Sequence, residues 1–386
     1  MAGTAWAEEG SELKFFAAES IRHDSNLFRL SSGANAQALI GKDSAAETIS
    51  ATSLGMTYDK SWSLQRVDLD VRAIDYRYQN FSYLNFTALN YKGNWHWSYT
   101  PHLYGTLSTS REKTLNSFAD FKDYDQRNER VTSRNRFDAT YELDARWRVV
   151  GGLAHIEQTN LRPLLEESGS RQNAVDSGLR YVWPSGNAAG FTLRRSNGTY
   201  TDNPASAATL TDSGFDQEDS EADLLWLITP KTTASLLVGY RNRTHPNFSQ
   251  RNFSGVIANA KLGWAISAKT AVGATWTRDI GAYQTSSTNF IQTERFALGP
   301  TWQLGAKTTL GLQLGRSVRD NGGSPGLSFV ATQRHDVVND ATLSVDWRPQ
   351  NYLSFNASLQ NARRSSNQSG LDYKTNIVNV SAQFTF

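Results

Sequence analysis

The chain has 386 residues and a formal net charge of +2, drawn from 39 basic and 37 acidic residues that are scattered rather than blocked. That balance leaves no electrostatic footprint for nucleic acid. The absence of cysteine excludes disulfides, thiolate catalysis and cysteine metal sites, and no run reaches the roughly 18 apolar residues of a membrane helix.

The anomaly is aromatic content, with 11 Trp, 15 Tyr and 18 Phe in a chain of mean hydropathy −0.52. At the start, Thr4-Ala5-Trp6-Ala7 before Glu8 reads as the tail of a secretory signal. Residues 1–7 are therefore set apart as a residual signal segment, and 8–386 is read as one domain.

From there the pattern repeats with a period of two. Leu13, Phe15 and Ala17 open it, followed by Thr52-Leu54-Met56-Tyr58, Val67-Leu69-Val71-Ala73 and Leu89-Tyr91-Gly93-Trp95-Trp97, each taking every second residue. Phe137-Ala139-Tyr141-Leu143, Leu179-Tyr181-Trp183, Ala222-Leu224-Trp226-Ile228, Leu236-Val238-Tyr240 and Val256-Ala258-Ala260-Leu262-Trp264 continue it. Val272-Ala274-Trp276, Phe296-Leu298-Pro300-Trp302, Leu310-Leu312-Leu314, Leu343-Val345-Trp347 and Leu353-Phe355-Ala357-Leu359 lead to the last set, Val378-Val380-Ala382-Phe384-Phe386. The skipped positions are mostly polar, so each segment predicts a strand with one apolar and one wet face.

Connections alternate in length. Asp59-Lys60-Ser61, Thr100-Pro101-His102, Asp144-Ala145-Arg146, Pro184-Ser185-Gly186-Asn187, Thr229-Pro230-Lys231, Ser267-Ala268-Lys269, Gly305-Ala306-Lys307 and Arg348-Pro349-Gln350 read as short turns. Longer polar stretches, such as 24–44, 111–129, 158–172, 200–216 and 319–333, lie between them. Short turns on one side and long loops on the other predict a single transmembrane antiparallel β-barrel of about 18 strands, within a range of 16–18. A soluble propeller or sandwich would also alternate, but it has no use for a belt of tryptophans. Trp62, Trp97, Trp147, Trp183, Trp264, Trp302 and Trp347 sit near the short turns, where a periplasmic aromatic girdle belongs. Both termini are then periplasmic, in the outer membrane of a Gram-negative cell. Phe386, closing an amphipathic strand, resembles the signal read by the barrel-assembly machinery.

The opposite parity lists candidate pore-lining residues. The basic members are Lys14, Arg72, Lys92, Arg136, Arg180, Arg194, Arg241, Lys261 and Arg295. The acidic members are Asp68, Asp70, Asp138, Glu142, Asp176, Glu221, Asp223 and Asp346. Nine against eight predicts no field of one sign, and cross-strand ion pairing is an equally good account of each. The six histidines show no metal spacing, and neither a metal nor a cofactor is expected. A lipid-hydrolase reading has one sequence feature, His155 at the outward parity with Ser133 on the preceding strand; nothing further supports it, and no enzyme is expected. The stretch Arg111 to Arg130, with Phe118, Phe121 and Tyr124, reads as a solvated surface loop rather than a pore constriction. Asp24-Ser25-Asn26-Leu27-Phe28-Arg29-Leu30 places an apolar triplet in the first loop and is expected to fold back on the barrel.

The same Asp24–Arg29 run resembles the EpsL family of outer-membrane barrels, encoded with exosortase and exopolysaccharide systems. Tyr83-Leu84-Asn85-Phe86, Leu89-Asn90-Tyr91, Trp95-His96-Trp97, Thr100-Pro101 and the aromatic last strand are similar too. The resemblance implies export of an extracellular polysaccharide across the outer membrane, with periplasmic export partners supplying the chain. A general or sugar-uptake porin, or a sheath around a partner protein, fits the same residues. In every case outer-membrane lipid and lipopolysaccharide surround the barrel.

Overall fold

The computed structural model describes residues 12–120, 122, 124–162, 169–201, 205–208, 210–283, 288–323 and 333–386. The expected signal segment 1–7 lies outside the described residues, as does Phe121. The first six strands are β1 (Glu12–Asp24), β2 (Glu47–Trp62), β3 (Gln65–Tyr78), β4 (Phe86–Thr100), β5 (Leu103–Leu115) and β6 (Glu129–Glu142). Next come β7 (Trp147–Asn160), β8 (Ser170–Val182), β9 (Ala188–Tyr200), β10 (Gly214–Thr229), β11 (Thr232–Thr244) and β12 (Phe253–Ala265). The last six are β13 (Thr270–Ala282), β14 (Phe290–Gly305), β15 (Thr308–Gly322), β16 (His335–Gln350), β17 (Leu353–Ser366) and β18 (Tyr373–Thr385).

Each strand pairs antiparallel with its chain neighbours, and β1 also pairs with β18, so the sheet closes on itself. Closure is what allows a sheet to cross lipid, because every backbone N–H and C=O finds a partner and no edge remains. At the seam, Phe15 N donates to Phe386 O and Phe386 N to Phe15 O, both at 2.8 Å, and the two rings stack 6.0 Å apart.

Period-two patterning decides what faces out. Leu54 is 62% exposed and Leu153 57%, and large apolar side chains ring the barrel in the same way. Such a belt is far larger than a water-soluble protein tolerates and is a lipid-facing surface. Six of the seven expected girdle tryptophans are exposed at the short-turn end. Trp97 differs, being half-buried with its ring stacked on Phe137 at 5.4 Å.

Short turns join β2 to β3, β4 to β5 and so on in pairs, and the longer connections lie at the opposite end. Two turns are displaced from their expected places. β2 runs on through Asp59-Lys60-Ser61 to Trp62, and the chain reverses at Ser63-Leu64, where Ser63 takes the left-handed conformation (φ 53°). β16 carries Arg348-Pro349-Gln350 through a register shift and turns only at Asn351-Tyr352. Side chains cap the turns: Asp144 Oδ1 accepts from Arg146 N at 2.7 Å and Trp147 N at 2.8 Å, and Ser267 Oγ accepts from Thr270 N at 3.0 Å.

The principal apolar core sits at the long-loop end rather than mid-barrel. Phe28, Leu30, Ile49, Tyr78, Phe81, Leu84, Phe86, Ala88 and Phe118 form it, drawn from three long connections and the strand ends beneath them. Phe28 meets Phe81 edge-on at 4.7 Å and Phe118 at 4.6 Å. Asp24 explains why the first connection folds back. Its carboxylate accepts from both Nη atoms of Arg29 at 2.9 and 2.8 Å and from Thr375 Oγ1 at 2.6 Å. Asn26 closes the turn by accepting from Leu30 N and donating to Leu30 O, both at 2.9 Å. Phe28 is thereby aimed into the core.

Candidate functional site

The expected pore-lining residues occupy the face opposite the lipid belt, because each strand carries them at the skipped parity. Along β6 the inner face reads Glu142, Asp138, Arg136, Arg134 from the short-turn end toward the loops. Arg136 is the hub. It donates to Asp138 at 2.6 Å and, through both Nη atoms, to Asp176 at 2.8 and 3.0 Å. Asp176 lies 3.7 Å from Arg194, which reaches Glu221 at 3.4 Å, and Arg180 binds Asp223 at 2.7 Å. These residues, on β6, β8, β9 and β10, line a recess of about 840 Å³. Cross-strand spacing puts such partners within reach.

The other expected pore residues are placed as follows. Glu142 accepts from Tyr104 Oη at 3.1 Å and pairs with Arg148 at 2.9 Å. Arg72 pairs with Asp70 on its own strand and lies 5.4 Å over the Phe16 ring. Asp68 accepts from Asn94 at 2.6 Å and contacts His96 at 3.0 Å, and Lys14 pairs with Glu12 at 2.7 Å. Arg241 binds Asp219 and Asp279, both at 2.9 Å, Arg295 binds Asp340 at 2.9 Å, and Asp346 accepts from Asn356 at 2.9 Å. Among the described residues Lys92 and Lys261 make no close ion pair, although Lys92 stands directly opposite Asp70 in the β3–β4 ladder and Lys261 opposite Ser235.

Toward the loop end the wall changes character. A second recess, of about 530 Å³, is lined by Lys92, Arg134, Arg136, Arg194, Arg241 and Arg243, with Asp219 as its one carboxylate. Arg134, like Lys92, has no ion-pair partner among the described residues. Arg243 has no carboxylate partner among the described residues either; it donates to Gln217 Oε1 at 2.9 Å and lies 3.8 Å over the Phe215 ring. The balanced formal count of the expected lining residues thus hides a local excess of cations.

Above this, the connection between β5 and β6 departs from expectation. Residues 111–115 belong to β5 and 129–130 to β6, and most of the described residues between them are buried or half-buried rather than solvated. Its Phe118 is buried in the apolar core, and its Asp120 crosses to the far wall. Arg319 Nη1 and Arg334 Nη2 donate to Asp120 at 2.7 and 2.6 Å, and Arg364 Nη1 at 2.9 Å. Burial pushes the Asp120 carboxyl up, but Arg319 and Arg334 outweigh it and hold it well below the ordinary carboxylate range. The apolar pull on Phe118 is the reason a charge-dense segment folds inward. Composition alone did not point to Asp120, Arg319 or Arg334; Arg364 lies at the inner parity of β17, past Leu359, where the apolar alternation ends.

The loops on the other side of the mouth are tied by buried charge. Arg251, fully buried, donates to Leu210 O at 2.8 Å, Thr288 O at 2.7 Å and Asn289 Oδ1 at 3.2 Å. Asp212 accepts from Asn247 N at 2.8 Å and Phe248 N at 3.0 Å. The serine and histidine of the hydrolase expectation are not joined: His155 Nδ1 lies 2.7 Å from Asn173 Oδ1, and Ser133 stands opposite Glu157.

Residues 220–386, which take in most of β10 and all of β11 to β18, match the family described as "Putative beta-barrel porin 2". Solved structures match across the whole chain. Pseudomonas aeruginosa OccK2 (OpdF), in complex with glucuronate, is 10% identical with a TM-score of 0.55, covering 98% of this chain and 99% of that one. Pseudomonas aeruginosa OpdK with vanillate is 9% identical at a TM-score of 0.53, covering 97% and 99%. Pseudomonas aeruginosa OpdO is 11% identical at 0.53, covering 98% and 97%. No curated protein matches, and none of these matches carries the exopolysaccharide resemblance. In fold, this chain is a closed 18-strand, porin-like barrel of the outer-membrane type.

Proposed function

We propose that the chain is an outer-membrane channel for uptake of small anionic solutes, carboxylates of sugar-acid size. Its long-loop end faces outward and its short turns face the periplasm. The observation that carries this reading is the cation-rich recess, where Lys92, Arg134 and Arg243 make no close ion pair among the described residues and Asp219 is the one lining carboxylate. A lumen with an uncompensated charge of one sign attracts the opposite ion and speeds its entry. The mixed pairs below it, Arg136–Asp176–Arg194 and Arg180–Asp223, offer weak successive contacts on the way through. The glucuronate and vanillate complexes of two barrels with this fold support carboxylates as the solute class. A mouth crossed by a tied loop suits such a solute better than a polymer, so uptake is preferred to polysaccharide export.

Planar-bilayer recording under a potassium chloride gradient tests this. The expected reversal potential has the sign of anion selectivity, and liposomes carrying the barrel take up glucuronate at least as fast as glucose. Lys92→Gln with Arg134→Gln should lower the chloride preference roughly two- to fivefold, the effect of two partly solvated charges at about 0.3–0.5 kcal/mol each. Cation selectivity in the wild-type barrel would sink the reading.

A further inference from the structure

The cradle that holds Asp120 has the composition of an anion receptor. Three guanidiniums from β15, from the segment before β16 and from β17 converge on one carboxylate, and Arg364 Nη2 donates as well to Ala119 O at 2.6 Å. The side chains of Arg364 and Arg334 are 2% and 10% exposed, so both charges have been removed from water to reach this point. Among the described residues the one other anion at the cradle is Asp336, 2.6 Å from Arg334 and 3.8 Å from Arg364. With Asp120 in place, three positive groups face two negative ones. Without it three face one, and buried like charges at that density need an anion. Guanidinium forks match a carboxylate in shape as well as charge.

The wall pairs lower in the barrel join neighbouring or next-neighbouring strands, and separating them strains the sheet. Asp120 differs because it comes from a connection and no ladder bond depends on it. We infer that Arg319, Arg334 and Arg364 form a carboxylate-binding site for the passing solute, filled at rest by Asp120 as an internal ligand. This inference rests on the anion-channel reading. A tethered ligand competes at a high effective concentration, so a free carboxylate displaces it only weakly and briefly. Weak occupancy is what conduction requires. Displacement frees Asp120 from the wall and places the solute carboxylate above the cation-rich recess.

The test uses the full-length barrel in planar bilayers, with sodium glucuronate titrated on the long-loop side and glucose as the neutral control. Asp120→Asn keeps the side-chain shape and removes the competing charge. The half-blocking concentration of glucuronate should fall at least tenfold in this variant. Arg319→Gln added to Asp120→Asn should return it toward the wild-type value, while glucose has no effect on any of them. Heat-modifiable gel migration checks folding, and Asp120→Ala serves where Asp120→Asn does not fold. An unchanged half-blocking concentration, or a double variant as tightly blocked as Asp120→Asn, overturns the site. Chloride selectivity read in the same recordings separates the two ideas. Selectivity that persists without tighter block sinks the site alone, whereas absent selectivity in the wild type sinks the channel reading itself.

Discussion

Phe28 is fully buried although it lies in a connection, and the residues around it explain why. Arg29 adopts the left-handed backbone (φ 55°), and its guanidinium is clamped on Asp24, so the turn is fixed from both sides of the ring. Truncating a buried ring of this kind costs about 3–5 kcal/mol. Phe28→Ala is therefore expected to leave the barrel closed while loosening the packed connections. Amide exchange of residues 79–85 should rise in the variant, and unchanged protection there would contradict the account. His245 poses a different residue-scale question. Burial, then the neighbouring Arg243, pushes its pKa down to about 4, so the native state favours the neutral ring. The sign follows from linkage: a depressed pKa gives stability that is complete above the ordinary histidine value of about 6.5 and is lost as pH falls toward the native value. Thermal unfolding of the wild type between pH 7 and pH 4 should therefore show up to roughly 3 kcal/mol of loss that His245→Gln lacks. Parallel curves for the two proteins would refute that assignment.

At the scale of the element, strands with apolar outer faces are legible because lipid demands the alternation that sequence displays. β18 is the clearest case, with Val378, Val380, Ala382 and Phe384 on one face and polar residues on the other. β5 and β9 are harder. The outer face of β5 reads Gly105, Leu107, Thr109, Arg111, and that of β9 Ala189, Phe191, Leu193, Arg195, so the apolar signal is short in both. They are implied by the turn count rather than by their own pattern. Turn position was less legible still, because one left-handed serine decides where β2 ends. The inner face follows from parity alone, yet its function depends on which charges meet. Arg136 and Asp176 lie 40 residues apart, and Asp120 and Arg364 are separated by 244, distances over which no local pattern operates. The connections hide most, since Phe118 draws a polar segment inward through an apolar core assembled from three separate stretches.

The whole molecule depends on one seam. β1 and β18 pair from Phe16 with Thr385 to Asp24 with Ile377, and this ladder closes a sheet built otherwise from consecutive hairpins. The reciprocal bonds between Phe15 and Phe386 fix the alternation, so Val380 N donates into the seam toward Ile21. That bond sits mid-strand, flanked by exposed apolar side chains, where a bare carbonyl would face hydrocarbon. An unsatisfied backbone group there costs several kcal/mol. Proline within a strand paired on both sides removes the donor and adds a clash. The chain tolerates Pro300 in β14 only with a break in its ladder to β15, where Gly299 and Pro300 are unpaired. A break of that kind in β14 leaves the bonds on either side to hold two strands that a short turn already joins. The seam has no such turn, because β1 and β18 are joined only through the rest of the barrel. Val380→Pro is therefore expected to abolish the heat-modifiable folded band, while Val380→Ala retains it. A Val380→Pro barrel that still migrates as folded would mean that closure is carried by the loop-end contacts, Asp24 with Thr375 and Ser25 with Asn376, rather than by the ladder.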